Sequence, residues 1–395
     1  MRLLRIGLFT DVYFPSKNGV STSVFLLWRE LRRMGHDAWI VAPAWPEART
    51  AEEGVVRVKS VPYPFFDDYR MGLPSPRVLP KPFEIVHTHA PLTMGLWGLR
   101  LAERWRVPHI STFHTHYEKY AHYVPGLAFL DRFTHLIPRL ARAFYNRADL
   151  VIAPSRPILD LIEKYEIDRP ARVIPNGVDT ELLESAPDPR PLPWPPGRRR
   201  VLTVSRLGKE KRLDVALAAF AEIAEATDAH WVLIGEGPER ERLEKEAHDL
   251  GVADRVTFVG PVPYEKIGGY YRHAELFLFA SDTETQGLVL WEAQAMGVPV
   301  VAVGAEGTLE GVADGESGFL VPPGDAGALA KKARLLLADE ALRRRFAEAA
   351  RRFAERRSAP RVAEEILAAY EEAEAIHRAE PKKLILRFPT FPRES

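Results

Sequence analysis

Cysteine is missing from all 395 residues, which excludes disulfides, thiolate metal sites and a cysteine nucleophile. The chain also has no formal net charge, because 54 Lys and Arg residues balance 54 Asp and Glu residues. A dedicated nucleic-acid binder normally carries a basic excess, so we expect no nucleic-acid partner. No apolar run reaches the roughly 18 residues that a membrane-spanning helix needs, and the apolar N-terminal stretch is too short for a signal peptide. We therefore expect a cytoplasmic chain with no transmembrane span.

The composition that remains is ordinary for a soluble globular protein, with 46% hydrophobic and 27% charged residues. At roughly 150 residues per domain, a chain of this length predicts two domains. Proline is unusually frequent, at 33 residues. Together with the absence of cysteine, this frequency indicates either a thermophile or a GC-rich genome.

Short apolar runs alternate with helical patterns along the first half of the chain. Such alternation predicts a parallel sheet with helices on both faces. The predicted strands are Ile6–Thr10, Ala38–Pro43, Val55–Val61, Ile85–Thr88, His109–Phe113, Leu150–Ala153 and Arg172–Ile174. The predicted helices are Val20–Arg33, Thr93–Trp105, Leu130–Tyr145 and Pro157–Tyr165. A proline-dense stretch follows, which we interpret as a stiff linker over residues 181–198.

The same alternation restarts after this stretch. The predicted strands are Arg200–Val204, Trp231–Ile234, Val256–Val259, Leu276–Ala280 and Val298–Val303. The predicted helices are Leu213–Ala226, Glu239–Leu250, Tyr264–His273, Leu288–Met296 and a helical stretch from about Gly327 to Ala379. We therefore predict an α/β protein with two Rossmann-like, doubly wound domains, 1–180 and 199–359, that face a central cleft, followed by a helix and tail over 360–395. Ligands in such sheets bind at the carboxyl ends of the strands.

Two glutamates follow the strand Leu276–Ala280. Glu284 and Glu292 would lie about 80° apart on one helix, so their spacing favours a loop position for the first and a helical position for the second. A helix that starts near Gly287 offers backbone N–H groups to an anion. This arrangement suits a nucleotide sugar, with one carboxylate for the sugar hydroxyls and the other for the ribose. The alternative is that Glu284 is a first-turn charge and Glu292 lies on the helix surface.

Basic residues follow the first strand of the second half. Arg206 and Lys211 belong to this group and can reach a diphosphate, where their charge would stabilise a departing nucleotide. The alternative is a solvated turn, and no P-loop pattern is present. Farther along, the turn at Gly235 and Gly237 has two of the three glycines of a dinucleotide fingerprint. We therefore disfavour a nicotinamide site and keep Gly235 as a candidate for a tight turn beside the phosphate or ribose.

In the first half, Asp11, Asn18 and Gly19 lie between the first strand and the first helix. Gly19 can approach a phosphate or a sugar, although an ordinary Asn-Gly turn is the alternative. Farther along, three His and three Tyr crowd into eleven residues, too many polar aromatics for a core. His114 and His116 lack a partner set at metal-ligand spacing, so we expect no metal site and interpret the cluster as hydroxyl-binding. The tyrosines are Tyr117, Tyr120 and Tyr123.

These pieces resemble the retaining glycosyltransferases of the GT-B fold. More narrowly, they look like the family 4 type, which contains glycogen and sucrose-phosphate synthases and bacterial lipid glycosyltransferases. The resemblance covers essentially the whole chain. The matching segments are Asn18–Val20, Ile174–Asp179, Ser205–Arg206 with Lys211, Gly235–Pro238, and Glu284 with Glu292.

The resemblance implies a role for each matching residue. Arg206 and Lys211 would neutralise the donor diphosphate. Glu284 would contact the sugar hydroxyls, Glu292 would bind the ribose, and His114 would lie over the reactive face of the sugar. Further donor contacts would come from Gly19, Gly235, Gly287 and Leu288. Transfer would retain the anomeric configuration without a protein nucleophile, a cofactor or a required metal, and the helix near 360–377 would cross back onto the first domain.

The acceptor is suggested by the same resemblance. The loops look most like those of glucosyltransferases that act on diacylglycerol, so we expect transfer of an α-glucosyl group from a nucleotide sugar such as UDP-glucose to a membrane lipid. Acceptor contacts are assigned to Asp11, Asn18, Tyr117, Tyr120 and Tyr123. Mannosyl-lipid enzymes often have an aromatic residue where this chain has Gln286, and GDP-mannose-dependent α-mannosyl transfer is the alternative. More distant alternatives are a nucleotide-sugar epimerase and a non-catalytic binding protein.

A lipid acceptor lies in the bilayer, so we expect peripheral docking on the inner face of the cell membrane. Two segments, 131–147 and 381–395, interleave apolar and basic residues in a way that suits an anionic surface. The alternative is a core-facing helix for the first segment, and a packed strap or disorder for the second.

Overall fold

The structure is a computed structural model that describes residues 2–15, 19–46, 52–63, 70–75, 78–79, 81–114, 118, 134–284 and 286–380. The chain divides into two compact units. The first unit is Met1–Ile174 together with the chain from Ala363 onward, and the second unit is Pro175–Val362.

A parallel sheet forms the centre of the first unit. Its strands are β1 Arg5–Phe9, β2 Asp37–Pro43, β3 Val55–Val58, β6 Ile85–Thr88, β7 His109–Thr112, β8 Leu150–Ala153 and β9 Ala171–Val173. The seven strands are ordered β3-β2-β1-β6-β7-β8-β9. The inner strands β6, β7 and β8 are fully buried, as expected where helices cover both faces, although β6 and β7 include polar residues. The described helices of this unit are α1 Gly19–Arg33, α2 Thr93–Trp105, α3 Leu136–Tyr145 and α4 Arg156–Lys164.

A small hairpin departs from the predicted pattern of the first unit. The sequence predicts one strand over Val55–Val61, whereas the chain leaves the parallel sheet after Val58. Ser60–Pro62 (β4) then pairs antiparallel with Arg70–Gly72 (β5). The single-strand prediction is wrong because Val61, at the end of the run, is exposed and has no place in a sheet that is covered on both faces.

The second unit has a parallel sheet of its own. Its strands are β10 Arg199–Val204, β11 Ala229–Ile234, β12 Val256–Gly260, β13 Leu276–Phe279, β14 Val300–Val303 and β15 Gly318–Val321. They are ordered β12-β11-β10-β13-β14-β15, which is the strand order of a Rossmann fold. The helices are α5 Thr180–Ser185, α6 Leu213–Ala226, α7 Arg240–Asp249, α8 Tyr264–His273, α9 Leu288–Ala295, α10 Thr308–Gly311, α11 Ala326–Ala338 and α12 Glu340–Ala354. The two sheets confirm the predicted pair of Rossmann-like α/β domains.

The long helical stretch predicted near the C-terminus is three helices, α11, α12 and α13 (Ala359–Ala379). Aspartate caps start the first two, because Asp325 accepts from Ala328 N at 2.8 Å and Asp339 accepts from Leu342 N at 2.9 Å. The last helix begins in the second unit and continues into the first. None of the helices in the described ranges is long and apolar enough to cross a membrane.

The proline-dense stretch lies within the second unit, which starts at Pro175. Trp194 is buried there, and its Nε1 donates to Val201 O at 3.1 Å. The carbonyl oxygen of Pro187 lies so close to Gly269 that a Cβ at this position would come within 2.1 Å of it. The unit boundaries therefore differ from the predicted ones because this stretch packs against the second unit instead of linking the two.

Candidate functional site

The strand order of each sheet reverses beside its first strand, between β1 and β6 and between β10 and β13. Loops that leave the carboxyl ends of these strands meet at such a switch point, where open α/β sheets bind ligands. In the described part of the chain, the predicted site residues lie in loops at the carboxyl edge of their own sheet or in the helices that follow those loops.

In the second unit, two loops meet through Lys211 and Glu284. Lys211 ends the 3-10 turn Lys209–Lys211 after β10, and Glu284 follows β13. The Lys211 ammonium donates to Glu284 Oε1 at 2.5 Å, and the side chains are 19% and 15% exposed. A charge-assisted bond of this kind holds a cation and a carboxylate side by side at the switch point.

Hydroxyl groups of the loop after β13 bind the same two loops together. Ser281 Oγ and Thr283 Oγ1 each donate to Glu210 O at 3.3 Å. The Glu210 carboxylate lies 3.6 Å from Arg206 Nη1, and the Arg206 side chain is 46% exposed. The two predicted cations, Arg206 and Lys211, therefore lie on one loop whose position is set by the loop that carries Glu284.

The glycines at 235 and 237 have a packing function. A Cβ on Gly235 would lie 1.8 Å from Ser205 O, and a Cβ on Gly237 would lie 2.4 Å from Leu207 O. Gly235 also has a φ of 134°, which other residues rarely adopt. These glycines therefore allow the loop after β11 to press against the loop that carries Arg206. The predicted contact of Gly235 with a donor remains a prediction.

Helix α9 begins at Leu288, directly after Gly287, which has a left-handed φ of 68°. The first N–H groups of a helix have no partner within the helix, so Leu288 offers its N–H at the carboxyl edge of the sheet. Glu284 lies in the loop before this helix and Glu292 lies within it, as the spacing predicted. The two glutamates therefore occupy different elements, and their proposed roles differ accordingly.

Glu292 is a buried carboxyl, with 5% of its surface exposed. It accepts a hydrogen bond from Tyr271 OH at 2.9 Å. Burial raises the pKa of Glu292 to about 7, and the hydroxyl groups of Tyr271 and Tyr264 oppose this rise. The alternative that Glu292 lies on the helix surface is wrong, because α9 is buried along this side. A buried carboxylate favours further hydrogen-bond donors, and the predicted contact of Glu292 with a ribose stays a prediction.

The sequence distinguishes Gln286 only by the aromatic residue that mannosyl-lipid enzymes often have at its position. The structure shows that its side chain joins two segments of the chain. Its Oε1 accepts from Asn176 N at 2.8 Å, and its Nε2 donates to Asn176 O at 3.2 Å. The side chain is buried. These two bonds tie the Glu284 loop to the start of the second unit, and an aromatic side chain would make neither of them.

In the first unit, Asp11 is hydrogen-bonded to the first turn of helix α2. Its carboxylate accepts from Thr93 Oγ1 at 2.6 Å, Met94 N at 2.9 Å and Gly95 N at 3.4 Å. Burial raises the pKa of Asp11 to about 6. A carboxylate at this position satisfies the first N–H groups of the helix. The structure therefore assigns Asp11 to helix capping, and its predicted acceptor contact stays a prediction.

His114 follows β7, which pairs with the switch-point strand β6, and is buried. Its Nε2 is 3.0 Å from Nδ1 of His89, a residue that the sequence reasoning missed. The His89 ring packs on His87, whose nitrogens bond Tyr370 OH at 2.9 Å and Thr112 Oγ1 at 2.7 Å. Burial lowers the pKa of His114 to about 4, which keeps the ring neutral at neutral pH.

Several predicted residues lie outside the described part of the chain. They are Asn18, His116, Tyr117, Tyr120 and Tyr123. Gly19 is described and is the first residue of α1. Among the described residues, no group of three or more His, Asp or Glu side chains is arranged to hold a metal ion.

Comparison with protein families gives two matches that together span most of the chain. Residues 17–182 match the model of glycosyltransferase family 4. Residues 185–353 match the model of glycosyl transferases group 1.

Individual relatives agree with these family matches. The chain is 34% identical over 316 residues to an alpha-monoglucosyldiacylglycerol synthase of Streptococcus pneumoniae, covering 76% of this chain and 71% of the relative. It is 30% identical over 383 residues to a GDP-mannose-dependent alpha-mannosyltransferase of Mycolicibacterium smegmatis, covering 93% of this chain and 97% of the relative. Among solved structures, the sucrose-phosphate synthase of Thermosynechococcus elongatus matches with a TM-score of 0.77 and 24% identity, over 94% of this chain and 99% of the other.

Proposed function

This chain belongs to the GT-B glycosyltransferases of the family 4 type and is an enzyme of the transferase class, and we propose that it transfers an α-glucosyl group from UDP-glucose to diacylglycerol. The observation that carries this proposal is the contact of Lys211 with Glu284 at the switch point of the second sheet. It joins a cation for the diphosphate to a carboxylate for the sugar hydroxyls. An epimerase or a non-catalytic binding protein is disfavoured by membership of this family.

The charges of the second unit suit the departure of a nucleoside diphosphate. In the proposed reaction, the bond between the anomeric carbon and the phosphate oxygen breaks, and Arg206 and Lys211 neutralise the charge that develops on the diphosphate. The acceptor hydroxyl oxygen bonds the anomeric carbon on the same face, and its proton passes to the departing phosphate oxygen. The configuration is retained, and no protein nucleophile, cofactor or bound metal is required.

Two observations support a glucosyl lipid product. The relative from Streptococcus pneumoniae is named for the synthesis of alpha-monoglucosyldiacylglycerol. In addition, Gln286 binds Asn176 through both of its amide atoms, whereas mannosyl-lipid enzymes often have an aromatic residue at this position. The second candidate is α-mannosyl transfer from GDP-mannose, which is favoured by the greater length over which the mycobacterial relative matches.

A crossed screen of donors and acceptors tests the proposal. UDP-glucose, UDP-galactose and GDP-mannose would each be combined with diacylglycerol, a glycolipid and phosphatidylinositol, with and without a chelator. We expect the largest turnover with UDP-glucose and diacylglycerol, an α-linked product by NMR, and no loss with the chelator. Turnover only with GDP-mannose would establish the second candidate instead. UDP-glucose incubated without an acceptor should give no epimer.

We also propose that the enzyme docks on the inner face of the cell membrane without spanning it. In segment 131–147, the predicted apolar residue Phe144 is buried, and the predicted basic residue Arg142 pairs with Glu166. Leu140 remains 61% exposed. The second segment, 381–395, lies outside the described residues, and its sequence contains four basic residues.

Vesicle co-sedimentation tests this docking. Anionic lipid contributes about 1 kcal/mol per basic residue near the surface, so binding should rise with the anionic fraction and fall with salt. The double variant Lys382→Glu, Lys383→Glu should lose binding, whereas Lys331→Glu in α11 serves as the control. Binding that ignores both lipid charge and salt would refute electrostatic docking.

A further inference from the structure

The pair formed by His89 and His114 lies at the carboxyl ends of neighbouring strands. His89 follows β6, His114 follows β7, and these strands pair in parallel. The ring planes are 23° apart and the centroids 5.2 Å apart, and His89 Nδ1 lies 3.0 Å from His114 Nε2, so the two rings meet edge to edge. Both residues are buried, with 2% and 6% of their surface exposed.

Both rings are neutral at neutral pH, since burial lowers the pKa of His89 well below its usual value and that of His114 to about 4. A neutral imidazole carries one hydrogen, so one ring of the pair donates and the other accepts. If His89 donated from Nδ1, its Nε2 would be a bare acceptor. If His114 donated from Nε2, the hydrogen of His89 would lie on its own Nε2.

The surroundings of His89 Nε2 distinguish these two arrangements. This nitrogen is buried and has no hydrogen-bond partner among the described residues. A buried N–H without an acceptor is rarer and costlier than an unmet lone pair. The hydrogen of His89 therefore belongs on Nδ1, where it is donated to His114 Nε2. His114 must then carry its own hydrogen on Nδ1.

The position of His89 is itself fixed by a second ring. The centroids of His87 and His89 are 4.2 Å apart. His87 is held at both nitrogens, by Tyr370 OH of α13 and by Thr112 Oγ1 of β7. The His89 ring thus packs against a residue that cannot rotate without losing a hydrogen bond.

We propose that His89 is a positioning residue that holds His114 in the Nδ1–H tautomer, so that His114 donates a hydrogen bond to an oxygen of the substrate sugar and does not act as a base. The contact with a sugar rests on the proposed function. The tautomer rests on the contact of the two neutral rings and on the lack of a partner for His89 Nε2 among the described residues. With Nε2 of His114 occupied by His89, the only hydrogen left for a ligand is the one on Nδ1.

Long-range ¹H–¹⁵N NMR of histidine-labelled full-length protein tests the tautomer directly, because the two neutral forms have different nitrogen shifts. His114 is assigned by comparison with His114→Gln. We expect Nδ1–H in the wild type and in His89→Asn, whose amide nitrogen replaces Nδ1 as a donor. In His89→Leu, the preference of His114 for the Nδ1–H tautomer should be lost. An Nε2–H signal for His114 in the wild type, or an unchanged Nδ1–H signal in His89→Leu, would overturn the proposal.

Kinetics provide the second measurement. Partners that orient metal-bound histidines typically contribute about 10–100-fold, and by analogy His89→Leu should lower kcat by a similar factor with little change in the KM of the donor. His89→Asn should recover most of the loss, and His230→Asn, which alters a buried histidine of the second unit, is the matched control. Equal kcat values for His89→Leu and His89→Asn would also refute the positioning role. If the tautomers behave as expected and no glycosyl transfer is found, only the proposed function fails.

Discussion

The loops at the carboxyl edge of the second sheet carry charged side chains that pair across loops, as Lys211 does with Glu284. The same edge of the first sheet carries neutral rings, with His89 bonded to His114. The two sheets share their strand order, so the fold determines where on each sheet a ligand can bind. The side chains of the loops determine which ligand that is. Charged loops suit a diphosphate, whereas buried neutral rings suit hydroxyl groups.

The largest effect should follow removal of the Lys211 charge. Loss of a charge-assisted partner in a transition state costs about 10²–10³ in rate, so Lys211→Ala should lower kcat by this factor and leave the midpoint of urea unfolding nearly unchanged. Lys209→Ala, a change in the same 3-10 turn, is the control and should retain full turnover. Turnover of Lys211→Ala within a few-fold of the wild type would refute the diphosphate role.

The next effect separates the two glutamates of the second unit. Hydrogen bonds to charged groups contribute about 1.5–3 kcal/mol, so Glu284→Gln should slow transfer by roughly 10–100-fold. Because Glu284 is assigned to the sugar, this variant should bind UDP as the wild type does. Glu292→Gln should weaken UDP binding as well. Calorimetry that finds equal losses of UDP affinity in both variants would contradict the assignment.

A smaller effect is expected at Gln286, which holds the charged loop in place. Gln286→Leu keeps a similar volume and removes both bonds to Asn176, so the free energy of unfolding should fall by about 1–3 kcal/mol. Chemical denaturation measures this change. An unfolding free energy equal to that of the wild type would mean that the two bonds do not stabilise the folded protein.

The strands and the helix starts could be predicted because they depend on local sequence. β13 and β14 are buried apolar runs, and α9 starts after Gly287 as its sequence indicates. The hairpin of β4 and β5 was missed because its first strand continues an apolar pattern in sequence but is exposed.

The partners of the site residues could not be predicted, because they come from distant parts of the chain. Lys211 and Glu284 are 73 positions apart, and Gln286 is 110 positions from Asn176. The carboxylate of Asp11 meets a helix more than 80 positions away. For His89, a signal was present, since a histidine directly after a buried strand lies at the binding edge of a parallel sheet.

The smallest effect that we expect is a pH dependence that belongs to the second unit and not to the histidines of the first. Burial raises the pKa of Glu292 to about 7, whereas His87 and His89 have pKa values well below 6.5 and His114 has one of about 4. Between pH 6 and pH 8, Glu292 should therefore titrate, and these three histidines should not. In the role proposed for Glu292, ribose hydroxyls would donate to the ionised carboxylate, so donor binding would favour loss of its proton.

The ionised fraction of Glu292 rises about tenfold between pH 6 and pH 8, and the affinity for UDP-glucose should rise by the same factor. UDP-glucose is the better probe than UDP because its diphosphate has no group that titrates in this range. The stability change has the opposite sign. The raised pKa contributes stability that is fully present below the unfolded value of 4.5 and is lost as pH rises through about 7. Glu292→Gln should flatten both profiles, and a Glu292→Gln variant that retained the tenfold rise would place the titrating group elsewhere.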